Sequence, residues 1–218
     1  MSRFSLLSFT RTSTRHSSSR KRLAVSAAVS CFLLATTTAI LSQASHPGPG
    51  VQQSVDAIRQ ILAKDSLYER TTTTQRQDYK SLTERKYQVT ETDGCKMVIV
   101  VSGHSHAEMP AQNRINDRKW NDIYHPDFSV MDPSTVVVNE PEPPQPQWQV
   151  KGYLVRISVE IGKPLMVSST VDLATNASRI LPGLPNLAVY VSSREAADKL
   201  AKTFGQLATA CQANPAPR

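Results

Sequence analysis

The hydrophobic pattern of this 218-residue chain is clearest near its C-terminal end, where Ala197, Leu200, Phe204, Leu207, Ala208 and Cys211 recur at three- and four-residue steps. Positions so spaced share one face of an α-helix, while Arg194, Glu195, Asp198, Lys199, Lys202, Gln206 and Thr209 fall on the other. The pattern predicts an amphipathic helix over residues 192–211, opened by a capping box of Ser192 and Glu195 and braced on its wet face by Glu195–Lys199 and Asp198–Lys202 pairs. Gly205 in its interior costs about 1 kcal/mol against alanine, so the helix depends on packing its apolar face against other elements. A shorter run of the same period, Val51, Val55, Ile58 and Leu62, predicts a short amphipathic helix over 51–68. Packing at the domain edge accounts for it, and partner binding is the functional alternative.

Elsewhere the period is two. Residues 86–91 and 95–101 read as a hairpin through Asp93-Gly94. A two-residue loop would divide its apolar side chains between faces. A three-residue loop with Gly94 left-handed in a bulge gathers Tyr87, Val89, Cys95, Met97 and Ile99 on one face, and that loop is the expectation. The longest strand signal covers 148–161, with Trp148, Val150 and Leu154 on one phase and Val155, Ile157, Val159 and Ile161 on the other. The change of phase near Gly152 predicts a bulge or bend. Gly162-Lys163-Pro164 turns the chain, 165–170 returns as a partner strand, and 187–191 is a last short strand leading into the helix. Tyr124, Phe128 and Val130 suggest a strand start, and Met131-Asp132-Pro133-Ser134 a turn into a strand over 135–138. Residues 71–74 read as a loop or a polar edge strand, and 103–120 and 173–184 as loops. The proline-rich stretch 140–146 lacks the backbone donors a sheet requires and reads as an extended connector. Together these elements imply an α+β fold, a single curved antiparallel sheet forming a roll or partial barrel, capped by the C-terminal helix.

The N-terminal region changes the picture of where this body works. Residues 1–22 carry Arg3, Arg11, Arg15, Arg20, Lys21 and Arg22 and no acid, and an uncharged, largely apolar run follows over 23–41. Ser42-Gln43-Ala44 then fits a signal-peptidase site, with the cut expected before Ser45. A retained signal anchor is the alternative, because about 19 residues at 1.5 Å each approach the roughly 30 Å hydrocarbon core. Either way the remainder is exported, into the periplasm, into the medium or onto the outer side of the plasma membrane. The chain divides into a leader over 1–44, a linker with a short helix over 45–78, a β-roll domain with its helix over 79–213 and a tail over 214–218. Membrane contact is expected only through 23–41, if the leader is retained.

Charge and cysteines follow from that division. The net charge of +7 comes from 25 basic and 18 acidic residues, six of the basic ones in the leader, leaving 19 against 18 in the exported part. That near balance excludes a nucleic-acid surface. Without Cys31, the two remaining cysteines, Cys95 and Cys211, form an even number in an oxidising compartment, and a disulfide between them is the expectation. It would close a loop of about 115 residues, worth roughly 4–5 kcal/mol at most. A free reactive thiol and a two-cysteine metal site are the alternatives.

The run KYQVTETDGCKMVIV, the segment MDPSTVVV, the tryptophan-led strand WQVKGYLVRISV and the close LAVYVSSREAADKLAKTFGQLATAC resemble a group of uncharacterised exported bacterial proteins with a pleckstrin-homology-like β-roll and a C-terminal helix. The resemblance spans 79–211 with gaps at the long loops and rests on structural rather than catalytic motifs. It implies a fold and a cysteine pairing, and no activity. The helix over 51–68 lies outside it.

Candidate chemistry is sparse. His104, His106 and Glu108 have metal-ligand character and would point the same way if extended, with His125 or Asp127 as a fourth donor. A metal-dependent enzyme is the alternative function that follows from them. The competing reading is solvated histidines in a polar loop. Ser102 or Ser105 beside a histidine makes no triad without geometry, and no glycine-flanked nucleophile or phosphate-cradling loop occurs. Asn176-Ala177-Ser178 is a glycan acceptor in a eukaryotic secretory path and otherwise a polar loop. Trp148, Tyr153 and Tyr190 would line a ligand groove, or serve as core and rim of a small roll. These features point to an exported, non-enzymatic module without a cofactor that binds a protein, peptide or envelope component.

Overall fold

The computed structural model describes residues 48–74 and 79–213. The expectations for the leader over 1–44 and the tail over 214–218 lie outside these residues. Among the described residues no helix is long and apolar enough to cross a membrane.

Helix α1 (Pro49–Asp65) opens on a proline, whose missing N–H costs nothing in the first turn. It buries Val51, Val55, Ile58, Ile61 and Leu62. It stops short of Tyr68 because that residue begins strand β1 (Tyr68–Thr73). There follow β2 (Lys80–Asp93), β3 (Lys96–Met109), β4 (Arg114–His125), β5 (Met131–Asn139), β6 (Trp148–Lys151), β7 (Tyr153–Val159), β8 (Met166–Asp172), β9 (Ser178–Leu184), β10 (Asn186–Val191) and helix α2 (Arg194–Ala213).

The α+β class, the antiparallel pairing and the C-terminal helix are as expected, but the sheet is not single. Seven strands pair in the order β6-β1-β2-β3-β4-β8-β9, and three more in the order β10-β7-β5. The division falls at Gly152, where φ is +105°. The strand predicted over 148–161 bends there, and its two halves join different sheets: β6 pairs with β1, and β7 with β10 and β5. The arrangement is open rather than a closed barrel.

Two predicted loops are strands. Residues 103–120 continue β3 and β4, turning at Pro110–Gln112 and left-handed Asn113. Their inward positions Gly103, Ser105 and Ala107 are too small and polar to leave an apolar period, although the backbone ladder continues. Residues 178–184 form β9, an edge strand, where Pro182 is tolerated because one side needs no ladder donor. Residues 71–73 lie in β1, flanked by β2 and β6, so this strand is interior rather than an edge. Within 128–130, where a strand start was expected, the chain forms a 3-10 turn capped by Asp127. The 131–134 turn forms inside β5, with Asp132 Oδ1 accepting from Ser134 N at 2.9 Å and Ser134 Oγ at 2.6 Å. The 165–170 segment pairs with β4 and β9.

The hairpin reaches the predicted phase by a different route. Asp93 pairs with Lys96, leaving Gly94 and Cys95 as a two-residue turn, and a register shift between Val89 and Glu91 supplies the extra residue. Tyr87, Val89, Met97 and Ile99 are all buried as a result. Helix α2 buries the six predicted apolar positions. Its cap is Ser193, whose Oγ accepts from Ala196 N at 3.2 Å, because the backbone N–H of Ser192 donates to Asp65 O at 2.7 Å. On its wet face Arg194 pairs with Asp198, in place of the two pairs expected.

Both helices and both sheets share one core. Ile58 and Leu62 of α1 meet Leu200, Phe204 and Leu207 of α2, Met97 and Ile99 of β3, and Ile157 and Val189 of the smaller sheet. Phe204 packs on Phe128 at 5.5 Å between ring centroids. Cys95 and Cys211 are joined as a disulfide, with their Cα atoms 5.8 Å apart, which ties the hairpin turn to the last turns of α2.

Candidate functional site

The hairpin turn is held from several sides. Phe128 N donates to Cys95 O at 2.8 Å, Met97 N to Pro126 O at 3.0 Å, and Glu160 N to Val130 O at 2.9 Å. Gln212 Nε2 of α2 reaches Met131 O at 2.8 Å and Glu160 Oε1 at 2.7 Å. Between the hairpin turn, the segment after β4 and the start of β8 these bonds leave a pocket of about 380 Å³. Its wall is apolar: Met97, Met131 and Met166 are almost wholly buried, with Val130 and Val159 beside them. Polar groups lie at the rim, among them Glu91, Asp93, Lys96 and His125. Asp127, also at the rim, is occupied in capping, accepting from Ser129 N at 3.0 Å and Ser129 Oγ at 2.6 Å. An apolar wall of this kind excludes water from any ligand surface set against it.

The histidines lie elsewhere. Because β3 runs to Met109, His104, His106 and Glu108 do share one exposed face. They do not converge. His104 Nε2 meets Asp117 Oδ1 at 2.6 Å, its Nδ1 stands 3.7 Å from Glu84 Oε2, and His106 Nε2 contacts Glu108 Oε1 at 3.4 Å. Among the described residues no three His, Cys, Asp or Glu side chains are grouped to hold a metal. His125 and Asp127 do not complete a set. His104 pairs across to Lys119, six residues along β4 from His125, or roughly 20 Å of strand.

The His104 contact holds the Asp117 carboxyl below its usual range, chiefly through the hydrogen bond, with coulombic attraction added. A depressed folded-state value gives stability that is present above the unfolded-state value and lost as pH falls through the folded one. In His104→Ala the Asp117 carboxyl is expected to titrate at higher pH, read by carbon-detected NMR of the side chain. An unchanged midpoint would remove the contact as its cause.

Trp148, Tyr153 and Tyr190 do not line one groove. Tyr153 pairs with Val191 and Tyr190 with Leu154, so the two tyrosines project from opposite faces of the smaller sheet. Trp148 sits in the larger sheet beneath Arg70, 5.8 Å from ring centroid to guanidinium carbon. A cleft of about 290 Å³ between the proline-rich segment and β7 touches Tyr190 alone of the three.

Arg85 was not singled out by the sequence. Alternation along β2 turns it inward, 5.2 Å over the Tyr68 ring, and its Nε is buried without a hydrogen-bond partner among the described residues. Burial raises the Tyr87, Tyr124 and Tyr190 hydroxyls above their ordinary range, and the Arg85 charge opposes that rise in each. The methionine wall was equally hidden: three residues on three strands carry no common spacing, and each reads as ordinary core.

No protein-family model matches this chain, and no curated protein or solved structure matches it either.

Proposed function

We propose that this chain is an exported, non-enzymatic, disulfide-braced module that binds an envelope component, a protein or a peptide, on a pleckstrin-homology-like β-roll. Two antiparallel sheets meeting at a shared core and followed by a C-terminal helix support the roll. The Cys95–Cys211 bond supports an oxidising compartment, in keeping with the basic leader and its apolar run. The observation that carries binding rather than catalysis is the pocket of about 380 Å³. It falls in the range of small-ligand sites, roughly 300–1,000 Å³, and is walled by methionine and valine with charge only at the rim.

Filling the pocket tests this reading. Met166→Trp adds bulk to the wall without adding charge, and it is expected to weaken binding of the apolar dye 1-aminoanthracene by about tenfold or more, roughly 1.4 kcal/mol. The readout is dye fluorescence on titration with exported protein. Dye affinity equal in the wild type and Met166→Trp, or no dye binding at all, would remove the pocket as the functional site.

A further inference from the structure

The mouth of this pocket differs from the rest of the surface. Leu165 and Val167 on its rim are 51% and 57% exposed, and Ile161, on the loop between Val159 and Pro164, is fully exposed. Leu165 and Val167 therefore stand in water at an opening that leads to an apolar interior, and Ile161 stands in water on a loop whose two ends, Val159 and Pro164, line the pocket. Charge at this end is mixed and leans acidic: Glu91, Asp93 and Asp127 against Lys96 on the lining and Arg59, which reaches Thr92 from α1. An anionic ligand is not what such a rim attracts. A peptide fits no better, since a bound peptide needs backbone partners: β3, β4 and β8 around the mouth are flanked by strands on both sides, and on the edge strand β5 the Met131 carbonyl already accepts from Gln212 Nε2. A flexible hydrocarbon chain needs no hydrogen bonds, and methionines adapt to its shape.

The course of the chain brings α1 to this end as well. Helix α1 ends where α2 begins, with Asp65 O accepting from Ser192 N, and the two helices pack together. Pro49 therefore lies toward the last turns of α2, where the disulfide holds the hairpin turn; Arg59 of α1 reaches Thr92 on the pocket rim at 3.5 Å. The first turns of α1 therefore lie on the same side of the core as the hairpin turn that forms one edge of the pocket.

We infer that the pocket takes one acyl chain of a lipid without net headgroup charge, drawn from a membrane surface on which Ile161, Leu165 and Val167 rest. This rests on the binding reading above and names its ligand.

The test uses exported protein recovered from its producing cell, mixed with phosphatidylcholine vesicles containing a pyrene-acyl phosphatidylcholine. The expected result is saturable loss of pyrene excimer emission, insensitive to salt and to added phosphatidylglycerol. Leu165→Glu/Val167→Glu, which alters only exposed side chains, is expected to weaken uptake by about tenfold or more, placing charge where hydrocarbon must pass. Ile161→Glu, in a loop outside any ladder, gives a second reading of the same effect. Uptake equal in the wild type and both variants would overturn the inference, as would affinity that rises with phosphatidylglycerol and falls with salt. If 1-aminoanthracene binds the wild type but not Met166→Trp while pyrene lipid is left in the vesicles, the acyl ligand is wrong and the binding site stands. If neither probe binds, both fall.

Discussion

Replacing Cys95 and Cys211 together by alanine is expected to lower the unfolding free energy by up to about 5 kcal/mol, the chain-entropy value for a crosslink spanning 116 residues. Against the roughly 5–15 kcal/mol typical of a domain, that is a large share. The bond joins elements far apart in the sequence, the β2–β3 turn and the end of α2, and its removal frees the open unfolded chain more than it loosens local contacts. Removing both sulfurs avoids leaving a reactive thiol. Urea unfolding of the wild type, the double variant and the reduced wild type should give two coincident destabilised curves and one stable one. The pocket is expected to respond as well, because the hairpin turn carries Met97 and part of the rim. Dye affinity should fall with stability but persist at low temperature, where the variant remains folded through the bonds from Phe128 N to Cys95 O and from Met97 N to Pro126 O and through the Gln212 side-chain bonds rather than the bridge. A double variant that unfolds within about 1 kcal/mol of the wild type would show that the hydrophobic core alone sets the α2 position.

What the sequence carried was periodicity. The six apolar positions of α2 and the four of α1 are buried because a 3.6-residue repeat has one face, and a core that reaches it has little choice. The hairpin was legible in phase and not in detail. Burial demanded that Tyr87, Val89, Met97 and Ile99 coincide, but a shift near Thr90 satisfies that demand as well as a bulge at Gly94 does, and only long-range packing decides between them. Ser192 and Ser193 pose the same problem at the cap. Either hydroxyl suits the first turn, and the choice falls to a tertiary hydrogen bond from Ser192 N to Asp65. Residues 103–120 were illegible for a different reason: a strand pair that is polar outside and small inside leaves no alternation of hydrophobicity. The histidine motif was legible as one face and misleading as chemistry, since Asp117 and Glu84, which take up its nitrogens, arrive from neighbouring strands. The pocket was hidden because Met97, Met131 and Met166 meet only after β3, β5 and β8 are in place.

Gly152→Ala is expected to cost about 3 kcal/mol or more, and Gly205→Ala to gain up to about 1 kcal/mol, although both are glycines inside long predicted elements. At Gly152 φ is +105°, a conformation that disfavours any side chain, and an added Cβ would stand 2.4 Å from the carbonyl oxygen of Leu67. That obstacle is backbone, held in turn because Leu67 N donates to Tyr190 O at 3.2 Å, so it cannot swing aside as a side chain would. Relief requires moving β6 or β7, and these lie in different sheets that depart from this residue. The damage should therefore spread to both, including the Tyr68–Tyr190 contact at 4.7 Å. At Gly205, by contrast, nothing lies within 4 Å of the position a Cβ would occupy, and alanine restores the helix propensity that glycine forfeits. Urea midpoints of the two variants, measured beside the wild type, should move in opposite directions. A Gly152→Ala protein as stable as the wild type would mean that the chain does not pass from one sheet to the other at this residue, and the two-sheet arrangement would have to be redrawn.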